Sequence, residues 1–125
     1  MIKILLVEDN LISQKMMYYT FRTVNLTSDL ASDGEEAVAK AAGERYDVIL
    51  MDIMMPGIDG YEATLQIRKA EQTSGHSAFI IGLTGNVYDS ERQKCLDAGM
   101  NAYMPKPFDI DLFKSILSKS GVAQF

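Results

Sequence analysis

Apolar positions along the chain fall into two patterns. Ile2–Val7 and Val48–Met51 are nearly continuous apolar runs, as strands buried on both faces require. The segments predicted as strands are Ile2–Val7, Asp47–Met51, Ala78–Leu83 and a short Ala102–Met104. Thr27–Ala31 is a weaker candidate for an edge strand. Between these runs the spacing turns helical. Ile12, Met16, Tyr19 and Thr20 would share one face, and Ala37, Val38, Ala41 and Ala42 another. Tyr61 and Leu65, with the stem of Arg68, would form a third. Val87, Cys95 and Leu96 follow, and then Leu112, Phe113, Ile116 and Leu117.

Polar residues mark where these helices begin and end. Asp33 precedes Glu36 by three residues and Asp59 precedes Glu62 by three, the spacing of an N-cap with a reciprocal acidic partner. Asp109 is a third candidate cap, and Gly99 a candidate C-terminal stop. Strand and helix thus alternate five times, which predicts a parallel sheet with helices on both faces. Right-handed crossovers restrict the topology. The expected fold is a flavodoxin-like (βα)5 three-layer α/β sandwich with strand order 2-1-3-4-5. Strands one and three are then neighbours at the switch point.

At 125 residues the chain has the size of one domain, expected to span 1–125. It needs no disulfide or structural metal for stability. Its single cysteine, Cys95, excludes an internal disulfide and fits a reducing cytoplasm. A net charge of −5 argues against nucleic acid as a direct ligand. No run of about 18 apolar residues predicts a membrane span, and the N-terminal apolar stretch ends at Glu8, too soon for a signal peptide.

Candidate chemistry collects at the strand ends. Glu8 and Asp9 close the first apolar run, Asp52 closes the third, and Lys106 follows the last. Ligands in open α/β sheets bind at the carboxyl ends of strands, so the three carboxylates and the ammonium are expected in one pocket. Adjacent carboxylates repel and invite a hard divalent cation, and a lysine invites phosphate. Mg2+ prefers one or two carboxylates, a carbonyl or phosphate oxygen, and water; Asp9, Asp52 and a backbone carbonyl would suit it. Gly57 and Gly60, with Pro56, shape a tight turn after Asp52. Thr84 can donate to a phosphoryl oxygen, Gly85 leaves its backbone N–H approachable, and Lys106 supplies a compact positive charge. Asp59 is read as a helix cap, Cys95 and most methionines as packing, and His76 as having no chemical role.

These pieces resemble the receiver domain of two-component response regulators, the chemotaxis-regulator type. The matching segments are Val7-Glu8-Asp9-Asn10, Met51 to Gly60, Leu83-Thr84-Gly85 and Lys106-Pro107-Phe108, in order and at the family's spacing. The wording of the segments around Asp52 and Lys106 is most similar to receivers of hybrid histidine kinases. The resemblance implies that Asp52 accepts a phosphoryl group from a histidine kinase or histidine phosphotransfer protein. It implies that Asp9, Asp52 and the Met54 carbonyl ligate Mg2+, with Glu8 acting mainly through water. Thr84 and Lys106 would contact the phosphoryl oxygens, and Thr84 and Tyr103 would switch. An effector would read the face of helix four, strand five and helix five. Met54 and Asn86 occupy the two positions that set phosphate lifetime in the family. A cis Lys106–Pro107 bond is also implied. Such a domain assists transfer to, and hydrolysis from, its own Asp52 and is not a turnover enzyme.

Three other readings compete. A pseudo-receiver would keep the fold as a non-phosphorylated binding scaffold, but the acid pair, Asp52, Thr84 and Lys106 are all intact. A Mg2+ phosphohydrolase would carry a second acid two residues after its nucleophile, where this chain has Met54. A flavin-binding electron carrier would need a phosphate cradle in place of Glu8-Asp9-Asn10. Partner docking is expected around the first helix, with Asn10, Ser13 and Met16 facing the phosphodonor.

Overall fold

The computed structural model describes residues 2–85 and 89–125. Five strands, β1 (Ile4–Val7), β2 (Ser28–Ala31), β3 (Val48–Asp52), β4 (Phe79–Thr84) and β5 (Ala102–Pro105), alternate with five helices. The helices are α1 (Leu11–Arg22), α2 (Gly34–Gly43), α3 (Gly60–Ser74), α4 (Asp89–Ala98) and α5 (Ile110–Lys119). The strands form one parallel sheet in the order β2-β1-β3-β4-β5, which is the predicted flavodoxin-like order. Among the described residues no helix is long and apolar enough to cross a membrane.

Alternation of side chains along each strand explains the apolar runs. Leu5, Val7, Ile49 and Met51 belong to one buried cluster, with Ala37, Ala63, Ile67 and Cys95. Ile4, Leu6, Val48 and Leu50 belong to a second, with Met17, Phe21, Phe113 and Leu117. The sheet therefore has a core on each face, one under α2, α3 and α4, the other under α1 and α5. In the second core, Phe21, Phe108 and Phe113 stand with ring centroids 5.4–5.6 Å apart, in edge and tilted geometries that suit aromatic quadrupoles.

Three of the predicted caps are present. Asp33, Asp59 and Asp109 accept backbone N–H bonds at the starts of α2, α3 and α5. Neither expected acidic partner returns to its cap: Glu36 accepts from Ser32 N–H, and Glu62 from the Gln66 side chain. Gly99 follows the end of α4 at φ 100°, the left-handed stop expected of a glycine there.

Helix faces depart from the sequence pattern. On α1 the buried pair is Met17 and Phe21, whereas Ile12, Met16 and Tyr19 are 71%, 62% and 65% exposed. This helix is apolar on several sides, so spacing alone does not choose the inner one; the aromatic cluster around Phe21 does. On α3 the buried residues are Gly60, Ala63, Thr64 and Ile67, while Leu65 lies outside. Leu96 on α4 is also exposed, beside buried Cys95. Leu112 on α5 is at the surface, beside buried Phe113. Val87 lies outside the described residues.

Candidate functional site

Parallel pairing brings the carboxyl ends of β1 and β3 together, with Val7 opposite Met51. Glu8 therefore leaves β1 beside Asp52, the last residue of β3. Glu8 is 3% exposed and Asp52 1%, whereas Asp9 is exposed. Burial of two acidic side chains side by side is costly unless other groups compensate. Carboxylate oxygens of Glu8, Asp9 and Asp52 all lie within 4.8 Å of one another. Hard oxygen donors at this spacing match the ligands of Mg2+ or Ca2+.

Glu8 is fixed by three bonds. Its N–H donates to Ala31 O at 3.0 Å. Its carboxylate accepts Asn10 N–H at 3.1 Å, and Gln14 Nε2 donates to its carbonyl at 2.7 Å. Burial pushes the Glu8 carboxyl up to about 7; the negative charge of Asp52 adds to the rise, and the Asn10 N–H and Lys106 oppose it. Asn10 also caps α1, its side-chain oxygen accepting Ser13 N–H at 3.0 Å. That role was missed in the sequence, although an Asn just before an apolar helical run is an N-cap signal.

Asp52 Oδ1 accepts from Lys106 Nζ at 2.7 Å and from Met54 N–H at 3.3 Å. Lys106 is carried there by β5, and its N–H donates to Thr84 O at 2.7 Å, tying it to the end of β4. Thr84 is 2% exposed and follows Leu83, the partner of Asp52 across the sheet. The Lys106–Pro107 bond is cis, and Phe108 enters the aromatic cluster with Phe21 and Phe113.

The loop between β3 and α3 is held from both sides. Ile53 and Met55 are buried, while the Met54 side chain is 75% exposed. Gly57 has φ 79°, which glycine adopts without penalty. Gly60 has no positive φ; it is needed for space, because a Cβ there would lie 2.5 Å from Asp52 O and 2.8 Å from Ile53 Cα.

One hollow borders this centre, and another lies along β5 between α4 and α5. A cavity of about 390 Å³ is lined by Glu8, Ser13, Met16, Met17, Lys106 and Phe108, among others, between α1 and the loop after β5. A second, of about 220 Å³, lies beside half-buried Tyr103, with Leu96 and Ile116 in its wall. His76 is remote from the site and its Nε2 meets Tyr46 O at 2.7 Å. Cys95 is buried, which pushes its thiol up to about 11, so it is no nucleophile at neutral pH. Asn86, expected near the phosphate, lies outside the described residues.

The family model described as the response regulator receiver domain matches residues 4–118. Among curated proteins, hybrid signal transduction histidine kinase A of Dictyostelium discoideum is 36% identical over 121 residues, 95% of this chain and 6% of that protein. The chain spans a tenth or less of the length of the first such relatives. Among solved structures, the receiver domain of sensor histidine kinase PA1611 from Pseudomonas aeruginosa, with a magnesium ion coordinated in its active site cleft, is 42% identical. It superposes with a TM-score of 0.81 over 94% of this chain and 95% of that one. The Saccharomyces cerevisiae complex of the histidine phosphotransfer protein Ypd1 with the receiver domain of the response regulator Ssk1 gives 33% identity. Its TM-score is 0.84, over 93% of this chain and 86% of that one.

Proposed function

Because this chain belongs to the response regulator receiver domain family of two-component phosphorelays, we propose that it is a phosphoacceptor, taking a phosphoryl group onto Asp52 from a histidine kinase or histidine phosphotransfer protein. The observation that carries this reading is the buried Asp52 carboxylate with Lys106 Nζ at 2.7 Å and the Glu8 and Asp9 carboxylates beside it. A carboxylate oxygen of Asp52 attacks phosphorus; the P–N bond breaks, and the imidazole nitrogen keeps the electron pair and takes a proton. The product is an acyl phosphate on Asp52.

Asp9, Asp52 and the Met54 carbonyl are the residues that would hold Mg2+, with Glu8 acting through water. Bound there, the ion would supply positive charge to offset that on the phosphoryl oxygens. Lys106 has the same task as a fixed ammonium, and Thr84 supplies a hydroxyl from the end of β4. Once Asp52 is phosphorylated, its contacts to Lys106 change, and the two states of the α4–β5–α5 face are populated differently. The hollow beside Tyr103 gives its ring a place to turn, which supports that face as the one an effector reads.

The phosphodonor docks on α1 in this reading. Leu11, Ile12, Met16 and Tyr19 form an exposed apolar face next to the cavity that opens onto Glu8 and Lys106. Methionines adapt to irregular partners. Asn10 contributes less to docking than its position suggests, because its side chain is committed to the α1 cap.

The direct test is incubation with a small acyl-phosphate donor with and without Mg2+, read by intact mass for wild type and Asp52→Ala. One added phosphoryl group, dependent on both Mg2+ and Asp52, is expected. Neither modification nor Mg2+ binding by the wild type would instead make the domain a non-phosphorylated scaffold.

A further inference from the structure

Gly34, the first residue of α2, lies against the β3–α3 loop at Ile58. Its backbone has no positive φ, so conformation does not call for glycine. Alanine is the better helix former. Space is what requires it. A Cβ on Gly34 would lie 2.6 Å from Ile58 Cγ1 and 2.9 Å from the Ile58 carbonyl oxygen. The side-chain atom could swing aside; the carbonyl could move only with the loop.

Ile58 belongs to the segment that begins at Asp52 and ends at Gly60. At its other end, that segment is pressed against Gly60 through Asp52 O and Ile53 Cα, and Gly60 N–H donates to Ile53 O at 2.9 Å. Met54 N–H reaches the Asp52 carboxylate from within the same segment. Between the two clamped ends Ile53 and Met55 are buried and Pro56 and Gly57 are exposed, so a displacement at Ile58 is passed toward Met54 except for what those two positions absorb.

We propose that Gly34 is a positioning residue for the metal site: by lacking a side chain it lets the Ile58 backbone seat on the start of α2. That seat sets where the loop presents the Met54 carbonyl. The inference rests on the Mg2+ reading above and adds a residue that touches neither metal nor phosphate.

The test measures Mg2+ affinity calorimetrically, with thermal melting alongside, for wild type and for Gly34→Ala, Gly43→Ala, Ile58→Ala and the Gly34→Ala/Ile58→Ala double variant. Gly43 ends the same helix and has nothing within 4 Å of a built Cβ, so Gly43→Ala should bind Mg2+ as wild type does. Gly34→Ala should bind about tenfold more weakly, the scale of an outer-shell change at a metal site. Ile58→Ala removes the seat from the other side and should also weaken binding, which carries the test if Gly34→Ala does not fold. The double variant should be no weaker than the worse single variant, because both act through one contact. Wild-type affinity in Gly34→Ala, or fully additive losses, would overturn the inference while leaving the Mg2+ reading intact. Failure of the wild type to bind Mg2+ would overturn both.

Discussion

Asp52 is nearly inaccessible, yet the proposed phosphoacceptor chemistry would require a charged, nucleophilic oxygen. Two residues resolve that tension: Lys106 places an ammonium at 2.7 Å, and Met54 directs an N–H at the same oxygen. Lys106 is itself partly exposed, so the pair is weaker than a fully dry one. Removing the lysine leaves Asp52 with a lost charged hydrogen bond. Lys106→Ala should therefore lower unfolding stability by roughly 1–3 kcal/mol, read by urea denaturation. It should still accept a phosphoryl group from a small donor, but phosphorylation should no longer change partner affinity. A variant whose affinity for its effector responds to phosphorylation as the wild type does would refute the coupling role of Lys106. These charged residues were legible in the sequence because they fall together at the carboxyl ends of predicted strands and at the family's spacing, although each alone reads equally as a surface charge. Asn10 and Gly34 were not. Asn10 was assigned to partner docking and its cap role overlooked, and the need for Gly34 comes from Ile58, 24 positions away, which no local pattern reveals.

At the scale of elements, β1 and β3 were readable to within a residue or two because burial on both faces leaves no polar positions to confuse them. The helices were found but not always turned the right way. Apolar residues on α1 occupy most of its circumference, so spacing grouped Ile12, Met16, Tyr19 and Thr20 on one face without identifying Met17 and Phe21 as the buried pair. The structure buries Met17 and Phe21 instead, because only that rotation lets Phe21 meet Phe108 and Phe113. Ile12, Met16 and Tyr19 thus form an exposed apolar surface beside the site. On the proposed docking reading, the phosphodonor would cover this face of α1. Ile12→Glu with Met16→Glu should leave melting temperature within about 2 °C of wild type, since exposed substitutions rarely matter for stability. Phosphorylation by a small acyl phosphate should be unchanged. Transfer from a phosphohistidine protein should slow at least tenfold, on the order of a lost interface hot spot. Equal transfer rates for wild type and double variant would remove α1 from the docking surface.

For the molecule as a whole, the sheet order was predictable from alternation, handedness and the position of the acids, and each constrains the others. The topology sets three carboxylates at one end of the sheet, where they repel in the absence of a counter-charge. On the proposed metal reading that arrangement would trade stability for a binding site, and a cation that neutralises it should return the loss by mass action. At a Mg2+ concentration one hundred times its dissociation constant, linkage adds about 2.7 kcal/mol. For a domain of this size that corresponds to a rise in melting temperature of roughly 10 °C. The comparison belongs in KCl of matched ionic strength, because general screening also softens like-charge repulsion. Chelation should reverse the rise, and Asp9→Asn should shrink it by removing one carboxylate from the cluster. If Mg2+ and matched KCl gave the same melting temperature, the acidic end of the sheet would be a solvated surface and the metal assignment would fail.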